Sequence, residues 1–330
     1  MDAAPLYQVM VVDDEASIAN AVRRELSTPP LGRYRYEVES FTEPAAALER
    51  AKTKKFDAVI SDYRMPGMDG LEFLKALSAL QPECARLVLS GQTDMDSLIR
   101  MVNETHIYRF IPKPWHDYFL KSSLSQAIAY ATAVTENKRL ANLVRERGIA
   151  ISALNEGDVD QILIVDDDPG ILASLSRILT RHGRIDDLFA AIQSEVGRRE
   201  RPLLDENKIS VQITPSPRHA LLMAKELTFS CIISDYRMPE MNGVELLQKF
   251  AEEQPDCSRL LISGEISQDE LIIAVDIAHI FGFISKPWQD FELKLSIAQA
   301  LTWRRIQREN RTLAEMVKAA GAGGTAKAPQ

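Results

Sequence analysis

Short apolar runs rich in β-branched residues alternate along the chain with longer segments whose apolar positions recur at helical spacing. The runs predict strands at Gln8–Val12, Glu37–Ser40, Ala58–Ser61, Leu87–Leu89 and Ile107–Ile111. A second set follows at Ile162–Val165, Ile209–Ile213, Cys231–Ser234, Leu260–Ile262 and Ile280–Ile284. Strands of this kind separated by helices predict a parallel sheet covered on both faces, an α/β sandwich of five strands in each half. Ligands of such sheets gather at the carboxyl ends of the strands, so the polar residues there carry the functional question.

The two halves are copies. Ser61-Asp62-Tyr63-Arg64-Met65-Pro66 returns 173 residues later as Ser234-Asp235-Tyr236-Arg237-Met238-Pro239. The same offset relates Ser90 to Ser263, Lys113 to Lys286, Trp115 to Trp288 and Asn137 to Asn310. Asp13-Asp14 returns 153 residues later as Asp166-Asp167, so the second copy carries about 20 extra residues, roughly Arg184 to Lys208. Within them Ile185, Leu188, Phe189, Ile192 and Val196 follow helical spacing and predict an added amphipathic helix.

Composition narrows the field. The 330 residues are 45% apolar and 26% charged, ample for two domains. The apolar runs are too short for the roughly 20 residues a membrane helix needs, and the first residues do not resemble a signal peptide, which predicts a cytoplasmic protein without membrane insertion. Three cysteines, Cys84, Cys231 and Cys257, form no CxxC pair and suggest neither a disulfide frame nor a zinc site. A net charge of -8 argues against nucleic acid as a partner. The five histidines, His106, His116, His182, His219 and His279, carry no phosphotransfer motif, so a phosphodonor is expected from outside the chain.

The chemistry lies at the strand ends. Asp13 and Asp14 follow the first strand, Asp62 ends the third, Ser90 ends the fourth and Lys113 follows the fifth. Asp166, Asp167, Asp235, Ser263 and Lys286 repeat the arrangement. Three carboxylates in one pocket repel by about 4 kcal/mol per pair at 4 Å and an effective dielectric near 20, so a cation belongs among them. Oxygen-only ligation with few protein ligands suits Mg²⁺, which also engages phosphate oxygens. With the lysine opposite, such a pocket neutralises a phosphoryl group in transfer, and a carboxylate can act as nucleophile to form an acyl phosphate.

The ordered set Val-Asp-Asp, Ser-Asp-Tyr-Arg-Met-Pro-x-Met-x-Gly, Leu-Ser-Gly and Lys-Pro-Trp resembles, twice over, the receiver domain of bacterial two-component response regulators. The resemblance covers about 120 residues per copy. It implies two doubly wound, flavodoxin-like receiver domains in tandem. It further implies that Asp62 and Asp235 are phosphoacceptors, and that Asp14 and Asp167 ligate Mg²⁺ while Asp13 and Asp166 hold it mainly through water. The backbone carbonyls of Arg64 and Arg237 would complete the metal ligands. Lys113 and Lys286 would pair with phosphoryl oxygens, Ser90 and Ser263 would hydrogen-bond them, and Phe110 and Phe283 occupy the aromatic switch position. Lys113-Pro114 and Lys286-Pro287 are expected to be cis, and Gly70 and Gly243 are expected at turns needing an unusual backbone angle. Gln92 and Glu265 differ between copies beside the path of a hydrolytic water. Pairing of Glu265 with Arg237 is expected to give the second copy a longer-lived phosphoryl group.

Each copy runs on into an extended helix. The first is predicted from about Tyr118 to Leu154, with Tyr130, Ala133, Asn137, Leu140, Val144, Ile151 and Leu154 at a and d positions. Trp303, Ile306, Asn310, Leu313, Val317 and Ala320 repeat the scheme, and these seams predict a homodimer. The expected division is a receiver at 1–130, a helical linker at 131–158, a receiver at 159–302 with its insertion at 184–208, a helix at 303–320 and a disordered tail at 321–330. No space remains for an effector domain, so output is expected through protein contact, after phosphoryl transfer from a sensor histidine kinase or phosphotransfer protein. The protein is not expected to be an enzyme beyond its own phosphorylation and dephosphorylation. The rival readings are a constitutive dimeric scaffold and an aspartyl-phosphate, metal-dependent phosphatase, though the latter's nucleophile usually follows the first strand.

Overall fold

The computed structural model describes residues 5–27, 34–91, 104–105, 107–115, 117–148, 159–180, 209–264, 274 and 278–322. They divide between two compact units, one built on residues 1–131 and the other on 132–182, 196–264 and 278–330. The insertion at 184–208, Gln92 and Glu265 lie outside the described residues.

The first copy contains β1 (Leu6–Val12), α1 (Ala16–Ser27), β2 (Arg35–Phe41), α2 (Pro44–Thr53), β3 (Ala58–Asp62), α3 (Gly70–Leu80), β4 (Ala85–Ser90), β5 (Arg109–Pro112) and α4 (Asp117–Glu146). The second contains β6 (Asp160–Val165), α5 (Pro169–Thr180), β7 (Ile209–Thr214), α6 (Pro217–Glu226), β8 (Cys231–Asp235), α7 (Gly243–Glu253), β9 (Ser258–Ser263), β10 (Gly282–Ser285) and α8 (Asp290–Ala322). The two five-stranded sheets run β2-β1-β3-β4-β5 and β7-β6-β8-β9-β10. Every pairing is parallel, as the sequence pattern predicts.

Continuous apolar strands explain the layering. Val9, Met10, Val11 and Val12 are all fully buried, as are Ile162, Leu163, Ile164 and Val165, because helices cover both faces of a parallel sheet. Phe73, Leu74 and Leu77 on α3, and Leu246, Leu247 and Phe250 on α7, complete the cores. Helix starts follow their capping residues: Asp69 accepts from the Glu72 N–H and Asn242 from the Glu245 N–H. One amide organises a loop in each copy. Gln81 accepts from the Phe56 N–H and donates to the carbonyls of Ala51 and Lys54; Gln254 does the same with Phe229, Ala224 and Leu227.

Two helix ends differ from the sequence expectation. α4 stops at Glu146 rather than Leu154, because Gly148 adopts φ +64° just beyond it and its N–H bonds the Arg145 carbonyl, a left-handed helix terminator. α8 continues to Ala322, so the first residues of the alanine- and glycine-rich tail are helical. Some of the positions on which a homodimer seam is expected pack within the chain. In the second unit, Leu140 and Val144 of α4 form one buried cluster with Leu313 of α8. Among the described residues no helix is long and apolar enough to cross a membrane.

Candidate functional site

The parallel register brings the ends of β1, β3 and β4 level. Val12 lies opposite Ser61, Asp62 opposite Leu89, and Ser90 opposite Pro112 of β5. Residues directly after β1 and β5 therefore converge on Asp62. Lys113 Nζ lies 2.6 Å from Asp62 Oδ1 and 2.7 Å from Asp13 Oδ2, and its backbone N–H donates to the Ser90 carbonyl at 2.8 Å. The other oxygens are held by main chain: the Arg64 N–H donates to Asp62 Oδ2 and the Glu15 N–H to Asp13 Oδ1. Asp13, Asp14 and Asp62 bring ligand oxygens within 4.8 Å of one another. Carboxylates at that spacing suit a small hard cation, and Mg²⁺ meets the donor set.

The second copy repeats the geometry. Lys286 Nζ lies 2.6 Å from Asp235 Oδ1 and 2.9 Å from Asp166 Oδ2. The Arg237 N–H donates to Asp235 Oδ2, the Asp168 N–H to Asp166 Oδ1, and the Lys286 N–H to the Ser263 carbonyl. The carboxylate cluster of the first copy is the only such group among the described residues; Asp166, Asp167 and Asp235 are not gathered as closely.

Burial and charge oppose each other here. Asp13 is fully buried, and desolvation raises its carboxyl above the ordinary range although Lys113 pulls it down; Asp166 behaves alike. Desolvation works against the Lys113 and Lys286 ammonium groups, but hydrogen bonds to two carboxylates each outweigh it and raise their pKa values. Both lysines stay charged at neutral pH.

Both Lys-Pro peptide bonds are cis. Phe110 and Phe283 are buried on β5 and β10, as are the neighbouring Tyr108 and Phe281. Gly70 and Gly243 serve a different purpose from the one the sequence suggests. Neither has a positive φ; a Cβ on either would overlap the backbone carbonyl oxygen of Asp62 or Asp235, so the glycine permits close approach. The left-handed turn falls three residues earlier, at Gly67 (φ +79°) and Glu240 (φ +71°).

Sequence reading missed two features. Arg86 donates to the carbonyls of Thr105, Pro82 and Cys84, and its repeat mate Arg259 to those of Ala278, Pro255, Cys257 and His279, pinning the segment before the last strand. Their identical positions in the repeat were the available signal. Glu25 accepts from Trp115 Nε1 at 2.8 Å, at a pocket that Lys113, Pro114, Ile18, Ala21 and Arg24 also line. Ile178 stands at the matching position of the second copy, so that bond has no counterpart there.

The response regulator receiver domain family matches residues 9–125 and 193–298. The second match begins after Asp166, which Lys286 nevertheless bridges to Asp235. The hydrogenase transcriptional regulatory protein HoxA of Cupriavidus necator is 38% identical over 120 residues, which are 36% of this chain and 24% of that protein. The C4-dicarboxylate transport transcriptional regulatory protein DctD of Rhizobium meliloti is 31% identical over 140 residues, 42% of this chain and 29% of that protein. The chain thus spans about a quarter of the length of these relatives. Among solved structures, the signal receiver domain of an HD domain-containing protein from Pseudomonas fluorescens Pf-5 aligns over 48% of this chain and 98% of its own, at 23% identity and a TM-score of 0.39. Two copies of one fold and a family match in each half lead to one conclusion: the chain belongs to the response regulator receiver family and carries two receiver domains in tandem.

Proposed function

We propose that the chain accepts phosphoryl groups on Asp62 and Asp235 from a histidine kinase or phosphotransfer protein and passes the signal on through protein contacts. The observation that carries this reading is the lysine bridge in each copy, from the Asp62 or Asp235 carboxylate to the buried acid after the first strand. One oxygen of Asp62 is held by Lys113 and the other by the Arg64 N–H, which fixes the carboxylate for in-line attack. In the transfer, a carboxylate oxygen forms a bond to phosphorus as the phosphorus–nitrogen bond of the donor phosphohistidine breaks, and the imidazole leaves. Lys113 then neutralises the phosphoryl oxygens, and Ser90 at the end of β4 supplies a hydroxyl to them. Asp14 and Asp167, helped by Asp13 and Asp166 and the carbonyls of Arg64 and Arg237, would hold Mg²⁺, which supplies additional charge neutralisation when bound.

In this reading the receivers occupy about 1–130 and 159–302, the protein catalyses nothing beyond its own phosphorylation and dephosphorylation, and its site of action is the cytoplasm. Phe110 and Phe283 report the phosphorylated state, and Glu265, in place of Gln92, prolongs it in the second copy. The test is transfer of labelled phosphate from a phosphorylated histidine phosphotransfer domain to the wild type, Asp62→Asn, Asp235→Asn and the double variant. Label on each single variant and none on the double supports the reading; label on the double variant overturns it.

A further inference from the structure

The second receiver has lost the charges that protect the same sheet edge in the first. β2 and β7 are repeat mates and edge strands, each paired on one side only among the described residues. In the first copy Glu39 accepts from Arg50 and from Lys54 at 2.8 Å each, and Lys54 lies 3.7 Å from Glu37. A charged edge of this kind resists pairing with a foreign strand. The repeat offset of 173 residues puts Ser210, Gln212, Met223 and Leu227 where Glu37, Glu39, Arg50 and Lys54 stand in the first copy. Every charge of that cluster is gone. β7 reads Ile209-Ser210-Val211-Gln212-Ile213-Thr214, with neither a charge nor a proline. Ile213 on β7, Leu222 on α6 and Leu227 just beyond α6 are 47%, 60% and 45% exposed, three of the six exposed large apolar side chains among the described residues.

The outward backbone groups of β7 suit a second copy of the same strand. Successive residues of an edge strand alternate between facing their partner strand and facing out. In the first copy the Arg35 N–H donates to the Pro5 carbonyl and the Phe41 carbonyl accepts from the Asp13 N–H, so Tyr36, Val38 and Ser40 form the outward set. Their repeat mates are Ile209, Val211 and Ile213. An antiparallel pair about a two-fold axis at Val211 sets Ile209 opposite Ile213 of the other copy, and Ser210 opposite Gln212. The equivalent pairing of β2 would set Glu37 against Glu39, like charge against like. The axis also reverses α6. Arg218, which bonds Glu240, and Glu226 are exposed at opposite ends of that helix, with Leu222 midway, so each end is brought toward the opposite charge of the other copy.

We propose that β7 pairs antiparallel with β7 of a second copy of this chain, joining two second receivers in one continuous sheet through an isologous interface. The first receiver, with its charged edge, takes no part.

Sedimentation velocity of the full chain tests the pairing. The wild type is expected to form a reversible dimer. Ser210→Glu/Gln212→Glu recreates the edge charges of the first copy and is expected to weaken the dimer about tenfold or more, with its urea midpoint showing that the receiver still folds. Register has an independent test, oxidation of added cysteines with copper phenanthroline. Val211→Cys lies on the axis, where paired Cα atoms stand about 5.5 Å apart, within disulfide reach; Ile209→Cys lies roughly 13 Å along the strand from its own mate. The native Cys84, Cys231 and Cys257 are buried. A covalent dimer from Val211→Cys and none from Ile209→Cys is expected. A wild type that sediments as a single chain at every concentration, a dimer undiminished by the two glutamates, or linking of Ile209→Cys equal to that of Val211→Cys overturns the proposal. A single chain whose Val211 amide is protected from hydrogen exchange also overturns it, and assigns the edge to another segment of the same chain.

Discussion

Asp14 is the residue at which function and stability are expected to conflict most openly. Its carboxylate lies within 4.8 Å of those of Asp13 and Asp62, while Lys113 bonds the latter two and not Asp14. Replacing Asp14 by Asn therefore removes two repulsions and leaves both lysine bonds intact. At 4.8 Å each repulsion is about 3.5 kcal/mol at an effective dielectric of 20 and about 0.9 kcal/mol in bulk water. Asp14 is exposed, so the lower figure governs, and with the lost attraction to nearby Lys113 set against the two repulsions Asp14→Asn should stabilise the first receiver by about 1 kcal/mol without divalent ions. With Mg²⁺ the order reverses. An ion at 100 times its dissociation constant stabilises the native wild type by about 2.7 kcal/mol, and the variant forgoes most of that. The assay is urea unfolding followed by Trp115 fluorescence in a Trp288→Phe/Trp303→Phe background, in EDTA and in Mg²⁺. A variant no more stable than the parent in EDTA, or one that gains as much from Mg²⁺, refutes the crowded-carboxylate argument.

Three further outcomes follow from named contacts. Gly70→Ala places a Cβ against the Asp62 carbonyl and should lower phosphorylation by acetyl phosphate at least tenfold, with an overpacking cost of about 1–3 kcal/mol, as read by intact mass and by urea midpoint. Arg305→Met removes the cation bonded to the buried Asp160 carboxylate, leaving it only the longer-range attraction of Arg304, and should destabilise the second receiver by about 2 kcal/mol; adding Asp160→Asn should restore most of the loss in the same denaturation assay. Hydrogen bonding from Arg50 holds Glu39 down at about 2, below the ordinary 4.5, so the folded form binds fewer protons than the unfolded one between those values. The stability this supplies is present above pH 4.5 and is lost as pH falls toward 2. Because the pair is on the surface it amounts to less than about 1 kcal/mol, and Glu39→Gln should flatten that part of a thermal-midpoint profile against pH.

The fold was legible because each strand is a compact β-branched run and the whole pattern occurs twice. The site was legible because its side chains sit at strand ends, where parallel topology leaves little freedom: Asp13, Asp62 and Lys113 meet within hydrogen-bond distance. What sequence left open depends on packing between distant segments. The a and d positions of α4 and α8 specify a seam but not whose helix fills it, and Leu140, Val144 and Leu313 fill it within the chain. Gly70 looked like a turn residue because glycine serves both a positive φ and a close approach, and only coordinates separate the two. The end of α4 at Glu146 was foreshadowed by Gly148, yet the apolar positions Ile151 and Leu154 suggested continuation.

The most direct measurement of the central claim is the intact mass of the chain after incubation with acetyl phosphate and Mg²⁺. The account expects two phosphoryl groups on the wild type, one each on Asp62→Asn and Asp235→Asn, and none on the double variant or in EDTA. Phosphorylation that survives in the double variant, or that neither single variant reduces, would contradict it.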